Sequence, residues 1–136
     1  MKVFLAHAKG ATDNQIGEWI TDIKRWLQRD DIDGQVVPGV QDFHDNIGSD
    51  GTFDAWARNV PTRRDTFTGA KLYSAICVPS RTVGKATALI VEKALKIGTP
   101  VFVFDYVEKE AVFFQVREVV TDDERNYIAG WSLATD

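Results

Sequence analysis

Apolar residues along this chain fall into two patterns. Short continuous runs occur at residues 3–6 (Val-Phe-Leu-Ala), 35–37, 72–78 and 100–104, the signature of strands buried on both faces. Between them, apolar residues recur at helical intervals. Ile16, Trp19, Ile20, Ile23 and Leu27 mark one helix, entered through Thr12 and Gln15 at capping-box spacing and running to about Arg29. Ala86, Leu89, Ile90, Ala94 and Ile97 mark another over residues 84–97, stopped by Gly98. Phe53, Trp56, Ala57 and Val60 predict a third, interrupted at Pro61, with a possible helical continuation over 62–69.

Polar stretches join these elements. Residues 30–34 read as a turn and 79–83 as a loop. Residues 38–51, with Gly39, Asp42, His44, Asp45, Asn46, Gly48 and Asp50, read as a long polar loop, of the kind that is commonly functional. Residues 112–121 and 126–133 are β-rich and separated by Asp-Asp-Glu-Arg, which predicts a C-terminal β-hairpin on the sheet edge. Strands alternating with helices imply right-handed crossovers. The expected architecture over 1–136 is a single α/β domain: a three-layer, Rossmann-like (flavodoxin-like) and mostly parallel sheet. In such sheets ligands bind beyond the carboxyl ends of the strands, where the strand order switches.

Composition narrows the function classes. The chain has 136 residues, 44% of them hydrophobic, and a formal net charge of -4. That balance argues against a nucleic-acid stripe or a polybasic membrane anchor. A lone cysteine, Cys77, excludes an internal disulfide framework and multi-cysteine metal sites. No apolar run approaches a membrane span or a signal peptide, so a cytoplasmic setting is expected. No metal and no cofactor is expected.

The candidate site residues follow from the strand ends. Arg81, Thr82, Gly84 and Lys85 come after the third strand and open a helix, where backbone N–H groups attract anions and a basic side chain can neutralise a phosphate. The plainer alternative is an ordinary turn with exposed basic residues. His7, Lys9 and Gly10 follow the first strand at the same edge. His7 could touch a ligand or exchange a proton, or simply hydrogen-bond backbone at a strand end. Asp42, His44 and Asp45 could form an acid–base cluster or weak metal site, or stay solvated. Asp42 is the sharper candidate, as a general base or sugar-hydroxyl partner. Asp54, Arg58, Arg63, Arg64 and Asp65 read chiefly as surface charges, although an arginine could reach a phosphate. If the sheet is parallel, His7, Asp42 and Arg81 should line one concave surface.

Residues 84–101, Gly-Lys-Ala-Thr-Ala-Leu-Ile-Val-Glu-Lys-Ala-Leu-Lys-Ile-Gly-Thr-Pro-Val, resemble the nucleoside 2-deoxyribosyltransferase-like group. Lysine-decarboxylase-like nucleotide hydrolases and TIR domains share a similar layout. Leu5-Ala6, Ala94, Gly98 and Pro100 carry the likeness, which covers the first strand and residues 72–104. It implies a nucleoside or nucleotide ligand and, because such sites are often completed across a dimer, a homo-oligomer. In those enzymes a glutamate on this helix serves N-glycosidic cleavage; the matching position here is Ile90. Glu92, two residues on, points about 200° away around the helix. The resemblance therefore implies nucleotide binding without the usual nucleophile. The alternatives are an active N-glycosidic hydrolase or transferase, in which Asp42 replaces the glutamate, and a non-catalytic protein-interaction module.

Overall fold

The computed structural model describes residues 1–121 and 126–127. Four short strands run parallel: β1 (Lys2–Leu5), β2 (Gln35–Pro38), β3 (Ala75–Val78) and the first half of β5 (Val101–Val107). A sixth strand, β6 (Glu110–Gln115), returns antiparallel along β5, and the five-stranded order is β2-β1-β3-β5-β6. The strands that the continuous apolar runs predict are thus neighbours in one mainly parallel sheet. Register is tight around β1, where Leu5 pairs with both Pro38 and Cys77.

Side-chain alternation along the strands splits the core into two layers. Val3, Leu5, Ala75, Cys77 and Phe104 face α1 (Asp13–Gln28), which buries Ile16, Ile23 and Leu27 against them. Phe4, Ile76, Val78, Val101 and Val103 face the opposite way, onto α2 (Gly39–Asp50), α3 (Phe53–Asn59) and α4 (Lys85–Lys96). Phe4, Leu5, Ile23 and Ile76 are wholly buried, each worth about 1.5–3 kcal/mol of burial. Ile90 belongs to this core at 2% exposure, and Glu92 faces solvent.

Local chemistry explains the boundaries. Thr12 and Gln15 form the reciprocal capping box at the start of α1, with Gln15 N–H donating to Thr12 Oγ1 at 3.2 Å and Thr12 N–H to Gln15 Oε1 at 2.9 Å. Gly98 leaves α4 with φ +81°, a left-handed conformation open to glycine.

Three sequence expectations are corrected. Residues 38–51 are not a loop but form β2's last residue, α2 and the cap Gly51. Val40, Phe43 and Ile47 lie at helical spacing within that polar stretch, and Phe43 and Ile47 pack onto the core beneath α2. Residues 62–69 do not resume a helix: a 3₁₀ turn over Val60–Thr62 leads into a tight antiparallel loop bridged at Arg64 and Lys71. The hairpin on the sheet edge is β5–β6, so residues 112–115 form its return arm. The antiparallel pairing expected across Asp-Asp-Glu-Arg is present, Val120–Thr121 (β7) with Asn126–Tyr127 (β8), but β8 also pairs with Thr82–Val83 (β4), so it belongs to a separate small sheet and not to the edge of the main one. The part of that expectation over 128–133 lies outside the described residues.

Candidate functional site

β1 and β3 lie side by side, but their connections leave towards opposite faces. β1 feeds α1 on one side of the sheet and β3 feeds α4 on the other. This is the switch in strand order at which open α/β sheets bind ligands. Ala6 N–H still bonds Cys77 O at 2.9 Å, so the loops after β1 and β3 open from adjacent points of one edge.

The β1 loop brings His7, Lys9 and Gly10 to this edge, with Lys9 and Gly10 exposed. His7 Nε2 accepts the N–H of Val40 at 3.1 Å and its Nδ1 lies 2.8 Å from Ala8 O. Because Nε2 accepts, Nδ1 carries the proton and donates to Ala8 O. His7 therefore caps α2, whose N-cap residue Pro38 supplies no side-chain hydrogen bond. The approach is close at position 39, where a Cβ would sit 3.3 Å from Leu5 O and 3.4 Å from Phe4 Cζ, so any side chain would need its neighbours to give slightly.

The β3 loop contributes Arg81, Thr82, Gly84 and Lys85. Arg81 lies over the Phe114 ring, 5.5 Å from its centroid, with Nη2 3.9 Å from Asp105 Oδ2 at the carboxyl half of β5. Its side chain is half exposed. Thr82 lies in β4. Gly84 is the N-cap of α4 and has no side chain to accept from the first-turn N–H groups, which leaves that positive helix end to other acceptors. Lys85 pairs with Asp54 at 3.1 Å.

Asp42 does not join this edge. It is 2% exposed and sits inside a polar network between α2, α3 and the segment before β3. Trp56 Nε1 donates to its Oδ1 at 2.8 Å, the Tyr73 hydroxyl donates to its Oδ2, and Arg63 Nε reaches both oxygens at 3.0 Å. Arg63 Nη2 continues to Asp50 at 2.7 Å, which also accepts from Asn59 at 2.9 Å. Asp42 therefore leaves the three-residue surface expected from the sequence, and the loops carrying His7 and Arg81 remain at the carboxyl edge. The hydrogen bond from Arg63 holds the Asp50 carboxyl below the usual carboxylate range, against burial. Burial and the adjacent Asp42 push the Tyr73 phenol far above its ordinary value. His44 is exposed on α2 with its ring edge-on to Phe43, away from the network.

Sequence reasoning missed Arg63, Tyr73, Trp56 and Asp50 as partners of Asp42. The available signal was the spacing of Asp42, Asn46 and Asp50, one turn apart along a single stripe once 39–50 is helical.

Comparison with protein-family models, with curated proteins and with solved structures finds no significant match for this chain. Among the described residues no group of three or more His, Cys, Asp or Glu is arranged to hold a metal ion, and no helix is long and apolar enough to cross a membrane.

Proposed function

We propose that this chain is a nucleoside- or nucleotide-binding protein whose site is the crevice between the β1 and β3 loops. The observation that carries this reading is the switch in strand order between β1 and β3, beside which stand the side-chain-free start of α4 and the half-exposed Arg81. A phosphate there would accept from the first-turn N–H groups of α4 and from the Arg81 guanidinium. Lys9 adds positive charge from the facing loop.

Binding is favoured over N-glycosidic cleavage because both carboxylate options drawn from the sequence are spent or missing. Asp42 is enclosed by Arg63, Trp56 and Tyr73, and Ile90 occupies the position of the resembled enzymes' glutamate inside the core. A buried isoleucine can neither attack nor stabilise an anomeric carbon.

Thermal unfolding with nucleosides, nucleoside mono-, di- and triphosphates and NAD tests the proposal. Phosphate-bearing members should raise stability by mass action, about 2.7 kcal/mol at a hundredfold excess over Kd. Arg81→Ala should weaken that binding about tenfold or more. Absence of any shift across the panel would refute the proposal. Release of free base, followed by chromatography, would replace it with a glycosidic activity.

A further inference from the structure

At the opposite, amino-terminal edge of the sheet stands a built projection. Residues 64–71 form a tight antiparallel loop in which Asp65 N–H bonds Ala70 O at 2.8 Å and Gly69 N–H bonds Asp65 O at 2.9 Å. Asp65 Oδ1 accepts the N–H groups of Phe67 and Thr68 at 2.8 and 2.9 Å, and Arg64 Nη1 donates to Gly69 O at 2.9 Å. Lys71 Nζ anchors the loop to Thr99 Oγ1 at 2.9 Å. All this order holds Phe67 at the tip with 96% of its surface exposed. A single exposed aromatic is unremarkable by itself. An aromatic fixed on a rigid tip is different, because docking it costs little conformational entropy. Its flanks are basic: Arg64, Lys71, and Lys2, whose carbonyl accepts Ser74 N–H at the base of the loop.

The same molecule carries a complementary surface. Between α1 and the carboxyl half of β5 lies an open groove of about 750 Å³. Asp13, Glu18 and Asp22 give it an acidic wall, and Trp19 and Tyr106 give it aromatic ones. The Tyr106 hydroxyl donates to Asp22 at 2.6 Å and fixes the groove's floor. Arg25, 3.6 Å from Asp22, and Lys109 also line it, so the free negative charge lies at the Asp13 and Glu18 end.

We propose that the Phe67 loop of one copy docks into the α1–β5 groove of a second copy. The aromatic tip would pack against Trp19 and Tyr106, while Arg64 and Lys71 meet Asp13 and Glu18. A second copy is the fitting occupant because the aromatic tip with its basic flanks and a groove wall carrying Asp13 and Glu18 are both present on this chain. An anionic lipid surface fits less well against a chain of net charge -4. Because the projection and the groove are different patches of the chain, the contact is heterologous, and copies add head to tail. This inference does not rest on the nucleotide site.

Sedimentation velocity of the full chain over a range of concentrations provides the test. The wild type should grow in mass with concentration, less so at high salt. Phe67→Asp and Glu18→Arg alter exposed positions, so both should melt like the wild type while weakening association more than about tenfold. Mixing the two variants should restore one contact, since one keeps the groove and the other keeps the tip. The mixture should therefore form a dimer that grows no further. A wild type that stays monomeric, a Phe67→Asp variant that associates normally, or a mixture that fails to dimerise would each overturn the proposal.

Discussion

Asp42, Arg63 and Tyr73 come from three segments distant in sequence, and their meeting decides how α2 and α3 sit on the sheet. Desolvating a carboxylate and a guanidinium together is tolerable because every oxygen of Asp42 has a donor and Arg63 has two carboxylates. Asp42→Asn removes the charge and turns an amide N–H₂ towards groups that are themselves donors. It should cost about 3–5 kcal/mol in urea unfolding with an unchanged slope; a loss below about 1 kcal/mol would show the network to be dispensable. Asp50 makes a separate, pH-dependent contribution. Its carboxyl is held below the ordinary range by Arg63, so the unfolded chain takes up that proton at a higher pH than the folded one. The resulting stability is fully present above the ordinary carboxylate value, about pH 4, and is lost as pH falls through the lowered folded value. Asp65 acts in the same direction through the N–H groups of Thr68 and Phe67. Unfolding midpoints followed from neutral to acid pH should therefore show Asp50→Asn weaker than wild type near neutrality and converging with it in acid. A gap that stays constant with pH would refute the linkage.

At the scale of elements, the parallel strands were legible because burial on both faces leaves an unbroken apolar run, and α1 because its capping box and apolar spacing agree. α2 was not. Its glycines and acids resemble a loop, and its apolar stripe of Val40, Phe43 and Ile47 is short; the helix exists because Phe43 and Ile47 pack against the core and His7 caps its start. The hairpin at the edge of the main sheet is hidden in the sequence for a different reason. The two residues between β5 and β6, Glu108 and Lys109, have φ of +51° and +69°, the backbone of a turn that usually announces itself with Asn-Gly. With no glycine there, the break is invisible in the sequence and the return strand is sought further along. The same mismatch makes a prediction. Left-handed conformations cost non-glycine residues about 1–2 kcal/mol each, so Glu108→Asn with Lys109→Gly should stabilise the protein by about 1 kcal/mol or more in thermal unfolding. A destabilised double variant would mean that these side chains make contacts that outweigh the strain.

At the scale of the molecule, the two ends of a very short sheet carry different chemistry. The carboxyl edge holds the switch in strand order, Arg81 and the open start of α4; the amino edge holds the Phe67 loop, and the α1–β5 groove lies along one face. The general base that the sequence suggests, Asp42, belongs to neither, because its partners lie inside the fold and residue spacing alone cannot reveal a contact with Arg63 or Tyr73, 21 and 31 residues away. The edge loops could be located from the sequence since parallel strands must open them on one side. Between the Phe67 loop and the loops after β1 and β3 lies β3 itself, where Ile76, Cys77 and Val78 are almost wholly buried. Coupling between two surfaces requires an element with two discrete arrangements that both of them bias. Nucleotide binding and self-association should be separable. Phe67→Asp should abolish head-to-tail growth while keeping the wild-type nucleotide shift within about twofold in Kd, and Arg81→Ala should lose the shift while still associating. Titrating each variant with the best ligand from the nucleotide panel, in parallel with sedimentation, measures both. If Phe67→Asp lost ligand affinity tenfold, the two surfaces would be coupled, and the crevice between the β1 and β3 loops would need the neighbouring copy to complete it.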